Sequence, residues 1–118
     1  MRIAVLGSGD FVAEIAQLIN TRDDMTLAAV GYAPETAHRA GGLIALAQQL
    51  STPVITRISQ IDDINVDLVY LHSYPTLIPS DLLQRHRFVN THYAPLPRYR
   101  GFHGLVWGIM CVDESMSL

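Results

Sequence analysis

The chain has 118 residues, 49% of them hydrophobic and 16% charged, with a formal net charge of -3. That composition belongs to one packed domain and excludes a disordered chain, and the negative balance argues against a surface built for nucleic acid. All eight basic residues are arginine, and Cys111 is the sole cysteine, so no intrachain disulfide can form. Cys111 lies in an apolar run and is expected to be a core thiol. The start, MRIAVLGSGD, has a single arginine followed by only four apolar residues before its first glycine. That is too few for a signal peptide or a membrane span, so no membrane is expected and a cytoplasmic location follows.

Residues 3–7 (IAVLG) form a short continuous apolar run, expected as a strand covered on both faces. A helix should follow Ser8, Gly9 and Asp10, with Phe11, Ile15, Leu18 and Ile19 on one stripe and Asp10 or Ser8 as its cap. Residues 25–33 read as a second strand. Residues 35–50 are rich in alanine and leucine and read as a helix, with Gly41 and Gly42 as its weak point. A third strand is expected at 53–56, a brief helix at 59–65 and a fourth strand at 66–72. Ser80 should cap a helix over 81–86. Phe88 and Val89 then look like part of a buried fifth strand within RFVNTH, and a last helix is expected to begin near His103.

Strands alternating with helices through short joins imply an α/β chain, a Rossmann-like parallel sheet with helices on both faces. Ligands of such sheets bind beyond the carboxyl ends of the strands. Three polar loops leave those ends: SGD, HSYPT and NTHYAPLPRYRG. All three are therefore expected to line one crevice. GSGDFVA is a weak dinucleotide fingerprint, because Val12 stands at the third glycine position and no acid ends the second strand. A tight turn, a pocket wall or a phosphate contact are its other readings. In HSYPTLIP, Pro75 and Pro79 lack N–H groups and hold the segment open. The backbone of Thr76, Leu77 and Ile78 can then face a flat heterocycle, against the alternative of an ordinary connector.

Asn90 and His92 project from one side of the fifth strand. Histidine ordinarily titrates near neutrality, as a general base must, and an asparagine N–H₂ can stabilise a developing oxyanion. No serine or cysteine nucleophile lies beside them, which points to direct attack of a substrate amine on an acyl group. The alternative is a strand end whose polar side chains cap a turn. Arg85, Arg87, Arg98 and Arg100 crowd the same stretch, either as solvated surface or as a local anion site. No pair of histidines shows metal-ligand spacing, so no metal is expected. His38 and His86 should lie on helix surfaces, His72 at a strand end near the pocket, and His103 at a helix start as a cap or packing residue.

The segment NTHYAPLPRYRGFHGLVW resembles the N-H-x-S-L-L-P-x-Y-R-G segment of the folate-dependent formyltransferases. That family includes methionyl-tRNA formyltransferase, glycinamide ribonucleotide transformylase and the sugar N-formyltransferases. The resemblance runs over nearly the whole chain. MRIAVLGSGDF is similar to the family's first strand and loop, and YPTLIP falls at its folate-contacting loop. HYAPLPRYRG followed by FHGLVW is most similar to the sugar N-formyltransferases. The resemblance implies transfer from N10-formyltetrahydrofolate to a primary amine of a nucleotide-linked amino sugar, with a tRNA substrate as the alternative. It makes His92 the general base and acid and has Asn90 polarise the formyl oxygen. Thr76, Leu77 and Ile78 would bind the pterin, and Pro97, Tyr99, Arg100 and Gly101 would shape the loop. Gly9, Tyr93 and Arg100 are expected to meet the acceptor.

One feature departs from the family. Its third catalytic residue is an aspartate beyond a further strand, and Asp113 falls too early for that role and reads as a loop acid. The expectation is therefore the N-terminal part of a formyltransferase catalytic domain, truncated at the C-terminus and by itself inactive or slow. An apolar sheet edge or face open to self-association is expected with it. A catalytically inactive folate- or nucleotide-binding domain and an NAD(P) oxidoreductase domain are the competing classes.

Overall fold

The computed structural model describes residues 1–101 and 103–111. Its elements run β1 (Arg2–Gly7), α1 (Asp10–Asn20), β2 (Thr26–Gly31), a 3₁₀ turn (Pro34–Arg39), α2 (Gly41–Leu50) and β3 (Val54–Ile55). A second 3₁₀ turn (Ile58–Asp63), β4 (Leu68–His72), α3 (Ser80–Arg85), β5 (Phe88–Thr91) and α4 (Gly104–Met110) follow. The strands make one sheet in the order β3-β2-β1-β4-β5, and every pairing is parallel. Asp113 lies outside the described residues. No helix among the described residues is long and apolar enough to cross a membrane.

The sheet separates two cores. On one face Ile3, Val5 and Val30 meet Val12, Ala16 and Ile19 of α1 and Leu43 and Ala47 of α2. On the other, Ala4, Leu6, Ala29, Val69 and Leu71 meet Ile58 and Ile61 of the second 3₁₀ turn and Leu82 of α3. This is the Rossmann-like arrangement, with β1 paired on both sides in the middle. Each fully buried aliphatic side chain here is worth roughly 1.5–3 kcal/mol relative to exposure.

Several local expectations are corrected. The buried stripe of α1 is Val12, Ala16 and Ile19, while Phe11 and Leu18 are 45% and 59% exposed. Val12 and Ala16 face the sheet because α1 starts hard against the end of β1, where Val12 Cγ2 is 3.1 Å from the place a Cβ at Gly7 would take. Neither Ser8 nor Asp10 caps α1: Gly9 is the N-cap, with φ 93° and no side-chain cap bond. Ser80 does not cap α3 either, since Pro79 holds that position and Ser80 is already helical. The stretch 35–50 divides at Ala40, and Gly41 and Gly42 open α2 rather than interrupt it. Cys111 is exposed. Among the described residues β5 pairs only with β4, at one end of the sheet, and Val89 is 47% exposed rather than buried.

Gly7 has φ +156°, and a Cβ there would lie 1.9 Å from the His72 carbonyl oxygen. Gly7→Ala should therefore push β1 and β4 apart where their carboxyl ends meet. A loss on the order of 1–3 kcal/mol or more is expected, read as a lower urea midpoint at unchanged slope.

Candidate active site

The loops leaving β1 and β4 are tied to each other. Ser8 is 2% exposed; its N–H donates to the His72 carbonyl at 3.3 Å and its Oγ to the Ser73 carbonyl at 3.2 Å. The Gly9 N–H donates to the Arg39 carbonyl at 3.0 Å. Two of the backbone donors that a phosphate would need are thus taken by the protein itself. Ser73 adopts a left-handed conformation, φ 49°, and turns the chain sharply out of β4.

Beyond the carboxyl ends of β4 and β5 lie two cavities. The larger, about 700 Å³, is lined by Tyr74, Thr76, Leu77, Ile78, Asn90 and His92 among others. The smaller, about 460 Å³, lies between Phe11 and the loop from His92 to Leu96. Asn90, Thr91, His92 and Tyr93 line both. Asn90 follows Phe88 along β5, and Phe88 packs on the core that holds Leu71 and Leu82. Period-two alternation puts Asn90 on that same face.

Thr76, Leu77 and Ile78 form the far lip of the larger cavity. Leu77 is 92% exposed. Among the described residues, no hydrogen bond engages the backbone of these three. Tyr74 packs against the core beneath them, and burial is the main cause that pushes its phenol above the ordinary value of 10.0.

His92 is half-buried, and its Nε2 lies 2.5 Å from the Tyr99 carbonyl oxygen. A carbonyl only accepts, so Nε2 carries the proton and Nδ1 is left with the free lone pair. The loop is held for this by a Tyr99 N–H donating to the Pro95 carbonyl at 3.1 Å. Among the described residues no carboxylate forms an ion pair with His92.

His72, expected only as a strand-end residue near the pocket, sits on the opposite face of β4 and is bonded through both ring nitrogens. His72, 4% exposed, places Nδ1 2.6 Å from Thr91 Oγ1 and Nε2 2.9 Å from the Tyr93 hydroxyl. Tyr70 Oη lies 3.3 Å from the same Thr91 oxygen. The His72 ring is flanked by Phe11 at 4.9 Å and Tyr93 at 5.2 Å between centroids. The signal was available in the sequence: Tyr70 and His72 are polar residues two apart in an otherwise apolar strand, hence on one face.

The other expected residues are placed as follows. Tyr93 is between the cavities, whereas Gly9 and Arg100 line neither. Arg85 is committed to Asp62 and Asp81, at 2.8 and 3.2 Å, and His86 to Asp62 at 2.6 Å, so these residues brace α3 against the second 3₁₀ turn. Bonds to Arg85 and then His86 lower the Asp62 carboxyl to about 2. Arg98 lies over the Tyr99 ring at 5.3 Å. His38 is exposed on the first 3₁₀ turn, and His103 precedes α4 with φ 59°.

The family model described as "Formyl transferase" matches residues 1–115. The chain belongs to that family. The methionyl-tRNA formyltransferase of Cutibacterium acnes is 29% identical over 131 residues, covering 98% of this chain and 42% of that protein. That of Geobacter metallireducens is 25% identical over 122 residues, with 91% and 39% covered. The chain thus spans less than half the length of these curated relatives. Among solved structures, phosphoribosylglycinamide formyltransferase from Anaplasma phagocytophilum superposes with a TM-score of 0.73 at 23% identity, covering 94% of this chain and 58% of that one. A sugar N-formyltransferase from Shewanella sp FDAARGOS_354 gives 0.73 at 20% identity, covering 96% and 47%. At such identities these two structures speak for the fold.

Burial, and then the charge of Arg39, hold the His72 imidazole below its ordinary 6.5. The groups around it are Tyr70, Thr91, Tyr93 and, at longer range, Arg39. The unfolded chain takes up a proton near 6.5 that the folded chain resists, so this residue's contribution falls as the pH drops through 6.5 and levels off below the folded value. Urea denaturation of the wild type against His72→Gln should show the stability difference between them shifting against the wild type on acidification. A difference independent of pH would mean that the imidazole is not kept neutral.

Proposed function

We propose that this chain is the donor-binding and acid–base part of an N-formyltransferase. Its reaction moves a formyl group from N10-formyltetrahydrofolate to a primary amine, that of a nucleotide-linked amino sugar. The observation that carries the reading is that Asn90 and His92 line two cavities at once, as a transfer between two bound molecules requires. The larger cavity suits a flat heterocycle. Its lip offers the unengaged N–H and C=O groups of Thr76, Leu77 and Ile78 together with the exposed Leu77 side chain. The donor, when bound, supplies an activated formyl carbon.

The chain's own residues account for the rest. Asn90 donates its amide N–H to the oxygen on which negative charge develops, and this is worth most where water is excluded. His92 takes a proton from the attacking amine at Nδ1 and can return one to the leaving nitrogen, while the Tyr99 carbonyl keeps the ring in the tautomer that makes this possible. A main-chain carbonyl offers the imidazolium a dipole where a carboxylate would offer a full charge. Phe11 and Tyr93 give the smaller cavity aromatic walls, which suit the apolar face of a sugar or base.

A second reading, formylation of an aminoacyl-tRNA, draws on the curated methionyl-tRNA formyltransferases to which the chain is similar. The net charge of -3 weighs against a tRNA surface on this part of the protein.

The experiment is transfer of the formyl group by the purified protein to an amino-sugar nucleotide and, in parallel, to methionyl-tRNA. Faster transfer to the tRNA would exchange the two readings. No transfer to any amine, with a reduced folate still bound, would leave a catalytically inactive folate-binding domain. His92→Ala should cost about 10²–10⁴ in rate and Asn90→Ala about 10²–10³, with donor affinity retained in both. Wild-type turnover by either variant would move the chemistry to other residues.

A further inference from the structure

The chain Tyr70–Thr91–His72–Tyr93 ends at the wall common to the two cavities, and the two bonds of the His72 ring can be arranged in only two ways. A neutral imidazole has one N–H, and each hydroxyl has one proton to give. In the first arrangement Nδ1–H donates to Thr91 Oγ1, Nε2 accepts the Tyr93 O–H, and the Tyr93 oxygen shows the cavities a lone pair. In the second, Nε2–H donates to the Tyr93 oxygen, and the Tyr93 O–H is released to donate outward. The His72 tautomer thus decides whether Tyr93 acts as an acceptor or a donor toward whatever lies beside Asn90 and His92.

We propose that His72 is a positioning residue that, in the first arrangement, holds Tyr93 as a hydrogen-bond acceptor for the substrate amine or an adjacent hydroxyl. The identity of that occupant rests on the formyl-transfer reading; the His72–Tyr93 coupling does not. A primary amine about to attack must keep its lone pair for the formyl carbon, so its N–H groups need acceptors on the protein. His92 Nδ1 is one, and the Tyr93 oxygen supplies another from the next residue along the chain. His72 is buried, with both ring nitrogens engaged, and its neighbouring aromatic rings restrain the imidazole plane. It touches no substrate itself and acts through Tyr93.

Two substitutions separate positioning from mere packing. The amide of glutamine reaches the place of Nε2 and can accept from Tyr93, whereas the amide of asparagine reaches only the place of Nδ1. With an amino-sugar nucleotide as acceptor, Tyr93→Phe and His72→Asn should each raise the acceptor KM about 2- to 12-fold, the worth of one neutral hydrogen bond. The donor KM should not move, and His72→Gln should recover most of the loss. Equal effects of His72→Asn and His72→Gln on the acceptor KM would overturn the proposal. A second measurement needs no substrate. In the ¹⁵N imidazole spectrum His72 should carry its proton on Nδ1, and Tyr93→Phe should shift the His72 Nε2 resonance. A proton on Nε2, or an Nε2 signal indifferent to Tyr93→Phe, would overturn it. If the wild type formylates no amine, the functional reading fails and the imidazole spectrum alone decides whether His72 holds Tyr93 as an acceptor.

Discussion

Among the described residues β5 is joined to the sheet from one side only, through a parallel ladder to β4 that matches Val69 with Phe88, Leu71 with Asn90 and His72 with Thr91. The rest of the site depends on that register. A slip of one residue would turn Asn90 to the α1 face and put Thr91 in its place, because side chains alternate with period two. Four residues of parallel pairing are a modest hold. Side chains reinforce it: Thr91 is bonded to His72 and lies within reach of Tyr70, both on β4, and Phe88 is packed on the core that holds Leu71 and Leu82. β4 is located in turn by β1, whose end comes so close at Gly7 that no side chain fits between them. The position of Asn90 and His92 is thus set by a chain of contacts that begins at the middle strand.

How much of this could be read beforehand depended on whether a residue's role is local. Apolar runs such as IAVLG, with helical patterns between them, imply a parallel sheet without further information, and the sheet is there. Asn90, His92 and the Thr76–Leu77–Ile78 segment were picked out by residue chemistry and by the prolines that flank the segment. Helix orientation was not legible in this way. The α1 pattern permits either Phe11 and Leu18 or Val12 and Ala16 to face inward, and the choice falls to the close approach at Gly7, a tertiary fact. The caps failed for a similar reason. Ser8 has the right chemistry for one, but its hydroxyl and N–H are used by the β4 loop. Cys111 and Val89 look like core residues by composition, and only the sheet order and the course of α4 expose them.

His72 shows the other side of that limit. Alone at a strand end it reads as an ordinary polar residue, and its partners Thr91 and Tyr93 lie some twenty residues further on, brought to it by the crossover through α3. Burying an imidazole without partners would cost free energy. Here both nitrogens are engaged, so that cost is offset, and the result is a rigid polar element at the junction of two apolar-walled cavities. His92 is fixed by a different device, a carbonyl from its own loop. The two histidines are therefore restrained independently, one by β4 and β5 and the other by the proline-rich turn.

The glycine-containing loop after β1 has the look of a phosphate cradle, and in many α/β sheets such a loop carries the ligand. In this chain the Ser8 and Gly9 N–H groups are turned to the His72 and Arg39 carbonyls. The loop brings Phe11 forward instead, so that its ring lies against His72 and forms one wall of the smaller cavity. The smaller cavity is walled by Phe11, Asn90, His92 and Tyr93 rather than by a ring of backbone donors from that loop. Under the proposed reaction, that arrangement favours recognition of the reacting end of the acceptor. It leaves little on the β1 loop to grip a distant anionic tail. The consequence for the proposed reaction is that discrimination among amines would be made where the bond is formed, at the carboxyl ends of β4 and β5.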